Sequence, residues 1–443
     1  MKIAFIVQRY GTEILGGSEY HCRLVAERMA ERHDVEVLTT CARDYVSWRN
    51  EYPEGADRVR GVTVHRFANA ETRDIAAFNR YSDWIFNYAH TKDDELEWLR
   101  RQGPWSPALI EHLERHHRSY DVLIFFTYLY APTVLGLRLA PERSVLVPTA
   151  HDEPAIRLGI YRETFSLPAA IAFNTEVERR FLTSEFELGA KAQETIGCGV
   201  DLTPEQPSGR RPAHDLDRDR GRPEAAQDAA ASPPGSNGEP PAWRDEEVTQ
   251  IGRFRVGPRG SQFRRRHRLY GSFALYGGRI DPGKGCEELF EYFRTYVAEG
   301  GEGTLALMGV KLMPIPEEPW VRFAGMLPEQ ERLRALEAAT VVTVPSPFES
   351  LSLLALEAFA VGTPILANAR SEVLVEHCRE SNAGLWYENR DEFVEGLSLL
   401  MADGRLRAAM GRNGREYIRR TYRWDVILAK YDRLMSTIRG RLA

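Results

Sequence analysis

The stretch PSPFESLSLLALEAFAVGTPILA, Pro345 to Ala367, decides how this chain is read. It overlaps the apolar, strand-length run VVTVPS at its start and ends in another, PILAN. Between them, Leu351 to Val361 is apolar on nearly every side, the pattern of a helix buried all round. Ser350 and Ser352 suit its N-terminal cap, Gly362 suits the position just past its end, and Pro364 prevents continuation. Strand, turn, buried helix and strand make one unit of an α/β sheet covered on both faces. Glu349 and Glu357 stand out in it, because a carboxylate in apolar surroundings is costly without a hydrogen-bond partner. Two partners are open to Glu357. One is a core arginine, which leaves Glu349 a solvated turn residue. The other is a pair of ribose hydroxyls, with a phosphate at the free N–H groups of the helix start.

The rest of the chain extends this unit in both directions. IAFIV, VEVLTT, VTVHRF, VLIFFTY, SVLVPTA and AIAFNT read as strands in the first two hundred residues, with helical periodicity at Ser18 to Arg32 and Glu176 to Glu187. A helical insert from about Arg73 to His117 interrupts them. FALYGG, TLALMG, VRFAGM, VVTVPS, PILAN and AGLWY repeat the alternation later, and a helix from about Trp424 closes the chain. Alternation of this kind predicts doubly wound parallel sheets. The expected division is a first domain over 1–203, joined by the terminal helix 424–443, and a second over 263–423. Between them, 204–262 is rich in Pro, Asp, Arg and Ala and reads as a partly disordered linker.

A chain of 443 residues, 43% hydrophobic, has the length for two cored domains. A net charge of −6 argues against a nucleic-acid partner. MKIAFIVQRY reads as a buried strand rather than a signal peptide, and no apolar run reaches membrane-spanning length. The five cysteines are scattered and never spaced CxxC, which suggests reduced thiols and a cytoplasmic protein.

Open α/β sheets bind ligands beyond the carboxyl ends of their strands, and motifs lie there. YGGRIDPGKG, Tyr276 to Gly285, follows a strand and sets Arg279 and Lys284 on a glycine-rich turn where a diphosphate fits. Its GxxxxGK spacing starts a P-loop, but Gly285 stands where the magnesium-ligating Ser or Thr belongs. GTEILGGSEYH places Gly16 and Gly17 before a helix, with Ser18 as the expected cap. It lacks the GxGxxG dinucleotide fingerprint. In PTAHDEP, His151 follows a strand, while Asp152 and Pro154 read as a helix start. Two further patterns are set aside. Asp215 to Asp219 (DLDRD) lies in the polar stretch, and His112 with His116 reads as a solvated helix face rather than a zinc site.

Taken together, these residues resemble the GT-B glycosyltransferases, retaining family 4. The resemblance spans nearly all of the chain outside about 203–262 and implies two Rossmann-like domains facing a cleft. It further implies a nucleotide-sugar donor, a glycan, lipid-linked or small-molecule acceptor, and a role in cell-envelope or polysaccharide synthesis. Glu357 would take the ribose. Arg279 and Lys284 would hold the diphosphate with the N–H groups around Ser352 and Leu353. Glu349 and His151 would face the donor sugar, and Gly16 and Gly17 would approach the diphosphate. No metal or other cofactor is expected. Many members carry glycine where this chain has Ser352, and the polar stretch near the domain junction is unusual among them. Rival readings are a nucleotide-sugar epimerase or hydrolase and a non-catalytic nucleotide-sugar binder. FRRRHRLYG, Phe263 to Gly271, reads either as a solvated linker end or as a peripheral contact with anionic membrane. Base contacts are expected near Val310 to Met313 and Gly325 to Leu327.

Overall fold

The computed structural model describes residues 1–14, 16–189, 192–201, 249–251, 254–256 and 258–442. The first lobe is built on strands β1 (Lys2–Ile6), β2 (Asp34–Thr40), β3 (Gly55–Val59), β4 (Val62–Phe67), β5 (Val122–Phe126), β6 (Ser144–Val147), β7 (Ala170–Phe173) and β8 (Ala192–Thr195). They form one sheet in the order β3-β4-β2-β1-β5-β6-β7-β8. Every pairing is parallel except that of β3 with β4, which makes an antiparallel edge. β3 has no apolar run, with four of its five positions exposed, so hydrophobic patterning does not reveal it.

β1 shows why the sheet is covered on both faces. Ile3 and Phe5 enter one apolar cluster, and Ala4 and Ile6 enter another on the opposite side. Helix α1 (Gly17–Met29) follows β1. The insert between β4 and β5 is three helices rather than one long stretch: α2 (Ile75–Asn87), α3 (Lys92–Gln102) and α4 (Pro107–His116). Helices α5 (Ala131–Leu137), α6 (Ile160–Ser166) and α7 (Glu176–Glu185) connect the later strands. His112 is no solvated face residue: its ring lies 5.0 Å from that of Phe67 and 6.0 Å from that of His65.

A short antiparallel pair, β9 (Thr249–Ile251) with β10 (Phe254–Val256), and helix α8 (Pro258–His267) precede the second lobe. The DLDRD pattern and 202–248 lie outside the described residues. The basic segment is not a solvated linker end. Phe263 and Arg264 are buried in α8, and Arg264 donates to the carbonyls of Ala338 (2.5 Å) and Gly271 (2.7 Å). Burial lowers its pKa to about 10, so it remains charged at neutral pH.

The second sheet runs β13-β12-β11-β14-β15-β16 and is parallel throughout. Its strands are β11 (Phe273–Gly277), β12 (Thr304–Met308), β13 (Val321–Gly325), β14 (Val341–Val344), β15 (Ile365–Asn368) and β16 (Gly384–Tyr387). Helices α9 (Cys286–Ala298), α10 (Glu329–Ala338), α11 (Leu353–Val361), α12 (Glu372–Ser381) and α13 (Arg390–Ala402) cover it. Strand order reverses between β1 and β5 in the first sheet and between β11 and β14 in the second. Ligand crevices form at such reversals, at the carboxyl ends of the strands.

The chain ends in α14 (Gly404–Thr421) on the second lobe and α15 (Trp424–Leu442), which returns to the first. There Lys430 donates to the Thr195 carbonyl at 2.8 Å, and Asp432 meets His33 at 3.0 Å. Ile427, Tyr431 and Met435 of α15 share one apolar cluster with Cys22 and Val25 of the first lobe and Leu356 and Phe359 of the second. Among the described residues no helix is long and apolar enough to cross a membrane, and all five cysteines are free and buried.

Candidate functional site

Two loops of the second lobe meet at its strand reversal. After β11, a single 3-10 turn, Pro282–Lys284, is capped by Asp281, whose side chain accepts the Lys284 N–H at 2.9 Å. Gly285 follows with φ +74°, and a Cβ there would lie 2.4 Å from the Pro345 carbonyl oxygen. Any other side chain is therefore excluded, which is why the P-loop pattern stops at this point. The close approach brings the Lys284 loop against the PSPFES turn. Lys284 Nζ lies 2.8 Å from Glu349 Oε1 and 3.3 Å from Ser346 Oγ. Glu349 is thus no solvated turn residue; its side chain is 18% exposed and paired. Arg279 lies beside Asp281 at 3.3 Å and over the ring of Tyr45 from the first lobe at 5.0 Å.

Ser352 sits at the N-cap of α11 but does not cap it: its hydroxyl makes no cap hydrogen bond. Its backbone is left-handed, φ +61° and ψ +74°, the region that favours glycine. Ser350 does not cap the helix either; its carbonyl accepts a hydrogen bond from Thr175 Oγ1 of the first lobe at 3.2 Å. The first N–H groups of α11, beginning at Leu353, have no acceptor within the helix and carry its positive dipole end.

Glu357, one turn further on, has the core arginine of the first reading as its partner. Its Oε1 is 2.6 Å from Arg332 of α10 and 3.5 Å from the Tyr20 hydroxyl of the first lobe. Its Oε2 is buried and has no partner among the described residues. Burial raises its pKa against the lowering effect of Arg332. The core arginine is therefore present and holds one oxygen, and the other remains free to accept.

On the first-lobe side, α1 begins at Gly17 with Gly16 as its cap position, so Ser18 lies inside the first turn and not at the cap. Gly16 is crowded by its own chain: a Cβ there would lie 2.0 Å from Glu19 Oε2. Gly17 has open space where a Cβ would be. The two glycines thus differ, and Gly17 is the one with room for a ligand. Glu19 is held by Arg9 through Nε at 2.9 Å and Nη2 at 2.5 Å. His151 reaches the second lobe, its ring stacked 5.6 Å from that of Phe348 at 23°. Asp152 is exposed and pairs with Arg157 at 2.6 Å; the cap of the following turn is Glu153.

Sequence reasoning missed a cationic cluster on this wall. The guanidinium carbons of Arg9, Arg73 and Arg279 lie 5.6, 5.7 and 5.0 Å from the Tyr45 ring centre. Arg73 has four backbone and side-chain acceptors, on Val46, Tyr45 and Gln102. Burial near Glu19 pushes the Tyr130 phenol up to about 12. Arg9 follows the first strand directly, a position the strand-end rule flags; Tyr45 and Arg73 carry no comparable signal.

Two parallel-sheet lobes with site loops facing each other across the reversals define the GT-B class. Residues 262–417, most of the second lobe, match the family model described as "Glycosyl transferases group 1". The chain is 32% identical over 185 residues to a D-inositol 3-phosphate glycosyltransferase of Corynebacterium efficiens, covering 38% of this chain and 43% of that one. A protein of the same name from Acidothermus cellulolyticus is 30% identical over 190 residues, 38% of this chain and 42% of its own. The chain thus matches under half the length of these curated relatives. Among solved structures, sucrose-phosphate synthase from Thermosynechococcus elongatus superposes with a TM-score of 0.63 at 16% identity, covering 99% of both chains. The Anabaena protein Alr3699/HepE, in complex with UDP, superposes with a TM-score of 0.62 at 13% identity, over 99% of this chain and 100% of that one. These likenesses establish the fold.

Proposed function

We propose that this chain is a retaining glycosyltransferase that uses a nucleoside diphosphate sugar. The observation that carries the reading is Lys284 beside Glu349, on loops that converge at the start of α11 and face His151 across the cleft. An ammonium carries three donors, and two are engaged by Glu349 and Ser346; the third is available for a phosphate oxygen. Arg279 and the N–H groups of α11 add positive potential where the leaving diphosphate gains charge. Glu357 Oε2 supplies the acceptor for a ribose hydroxyl. Glu349 and His151 flank the sugar. In the reaction the bond from the anomeric carbon to the phosphate oxygen breaks. The acceptor oxygen bonds to that carbon on the same face, and its proton passes to the departing phosphate. Side chains and helix dipole supply the stabilisation, so the proposal requires no metal.

Leu312 and Met326, 45% and 53% exposed, lie just beyond the carboxyl ends of β12 and β13 and offer apolar surface to a base. A UDP complex of Alr3699/HepE makes uracil the first base to test. The acceptor is a glycan, a lipid-linked sugar or a small molecule, and the proposed setting is the cytoplasm. A peripheral membrane contact would rest on Arg265, Arg268 and Tyr270, which are exposed, since Arg264 is buried and Arg266 pairs with Glu331 at 2.9 Å. Sedimentation with anionic liposomes tests it, and absence of binding at low salt removes it.

The decisive experiment is thermal denaturation with UDP, GDP and ADP sugars, followed by product analysis with labelled donor. One base should raise the melting temperature, and label should reach an acceptor with its configuration retained. No shift with any donor defeats the reading. Free or epimerised sugar as the sole product, with acceptors present, would make it a hydrolase or epimerase.

A further inference from the structure

Thr175-x-x-Glu178 has the spacing of a capping box, in which a glutamate reaches back to the N–H of the cap residue. The structure departs from that pattern. Thr175 does cap α7, accepting the Glu178 N–H at 3.2 Å. The Glu178 carboxyl instead takes the N–H of Asn174, one residue earlier, at 2.6 Å on Oε2. Its Oε1 takes the N–H of Ala150 at 2.5 Å, from the loop after β6. Capping glutamates are ordinarily solvated, yet Glu178 is 2% exposed, and no basic group pairs with it among the described residues. A helix cap alone requires neither this burial nor the reach to a second loop.

Ala150 directly precedes His151. Thr149, one residue earlier, has φ +51°, an outlier for a β-branched side chain that persists where the surroundings fix it. The hydrogen bond from Ala150 is one such constraint. The same helix start also fixes the other side of the cleft. The Thr175 hydroxyl, which accepts from Glu178, donates to the Ser350 carbonyl in the turn that carries Phe348 and Glu349. His151 stacks on Phe348.

We propose that Glu178 is a positioning residue: it sets the His151 loop, and through Thr175 the PFES turn, so that His151 meets the donor sugar in register. The proposal rests on the glycosyltransferase reading for the role of His151, but not for the geometry. Glutamine at 178 keeps one acceptor oxygen and turns an NH2 toward the second N–H, so one of the two loops is released.

The test uses the full chain labelled at histidine Cε1, with the His151 resonance identified by its loss in His151→Asn. In Glu178→Gln this resonance shifts or broadens, while those of His377 and His90 hold still. A folded Glu178→Gln with an unmoved His151 resonance overturns the proposal. Where circular dichroism shows Glu178→Gln unfolded, Glu178→Asp takes its place, because it keeps both oxygens but retracts them, and the same shift is expected. The second arm is turnover of UDP-glucose, GDP-mannose and ADP-glucose, read as released nucleoside diphosphate. For the donor used by the wild type, Glu178→Gln lowers kcat roughly tenfold to a hundredfold, the scale of a small misplacement. Donor KM stays nearly constant, and in a His151→Ala background the loss shrinks to under about twofold. An equal loss in both backgrounds overturns the proposal. If the wild type turns over none of the donors, the glycosyltransferase reading falls and the spectroscopic arm still decides the role of Glu178.

Discussion

The two lobes build their walls of the cleft by different means. In the second lobe, two short consecutive stretches supply nearly everything: Arg279 to Gly285 and Pro345 to Glu357 meet because Gly285 has no side chain to keep them apart. In the first lobe the wall is assembled from five strand ends and an insert, with Arg9, Tyr45, Arg73, Tyr130 and His151 drawn from separate loops and Glu178 from the first turn of α7. The second wall presents partly exposed charges, Lys284 and Glu349 at 29% and 18%. The first is held by buried polar groups whose partners are mostly backbone. A compact charged motif tolerates change around it and fails when a charge is lost. A dispersed wall depends on its supports.

The sharpest test of this contrast lies where the lobes meet. Arg332 joins Glu357 at 2.6 Å and the Tyr20 hydroxyl at 2.8 Å. Arg332→Ala leaves Glu357 buried and without its cation. Breaking a buried pair by removing one partner costs about 3–5 kcal/mol. Denaturant titration at neutral pH should show a loss of this size. A loss under about 1 kcal/mol would mean that Glu357 is protonated or resolvated and that the interface does not depend on it.

Next in size is Lys284→Ala. Removing a cation that stabilises developing charge costs about 2.7–4 kcal/mol, or 10²–10³ in kcat. Donor turnover should fall by that factor with stability little changed, because Lys284 is partly exposed. Turnover within a few-fold of wild type would move the leaving-group site away from this loop and erase the contrast between the two walls.

What could be read in advance follows the same division. The second-lobe loops were legible because their chemistry is contiguous: glycines, cations and glutamates within two windows after apolar runs. Which partner Glu357 takes was not legible, since Arg332 lies in an ordinary-looking helix and its contact depends on how α10 packs on α11. Ser18, Ser350 and Asp152 suit caps by residue type. The backbone instead starts each helix elsewhere, and the Ser18 hydroxyl and the Asp152 carboxylate find other partners. The fold was legible from the alternation of apolar runs. The edge strand β3 was not, because it carries no apolar run, and neither was the packing of α8, whose arginines mask a buried face.

The buried supports of the first lobe predict a pH signature. Burial without a neighbouring cation raises the Glu178 pKa to about 8, well above an ordinary carboxyl. A carboxyl raised in this way binds its proton more tightly folded than unfolded. Its contribution is complete below the unfolded pKa and is lost as pH rises through the folded one. The nearby Tyr431 phenol is pushed far up by burial and stays neutral throughout. The melting temperature of the wild type should therefore fall between about pH 4.5 and 8 more steeply than that of Glu178→Gln. Parallel slopes would show that Glu178 does not titrate there.

The smallest effect concerns Ser352, where the compact motif itself carries strain. A non-glycine residue in the left-handed region costs roughly 1–2 kcal/mol, and glycine recovers that while losing about 0.5–1 kcal/mol to the unfolded chain. Ser352→Gly should therefore raise stability by at most about 1.5 kcal/mol, the difference of those two terms. Its hydroxyl caps nothing, so the start of α11 should keep its geometry. If the N–H groups there hold the diphosphate, donor affinity measured by calorimetry should be equal or tighter, because only a hydroxymethyl group has been removed. Weaker binding by fivefold or more would assign the hydroxyl itself as a ligand. The second lobe would then rely on a side chain where the geometry shows backbone, and the two walls would be more alike than their construction indicates.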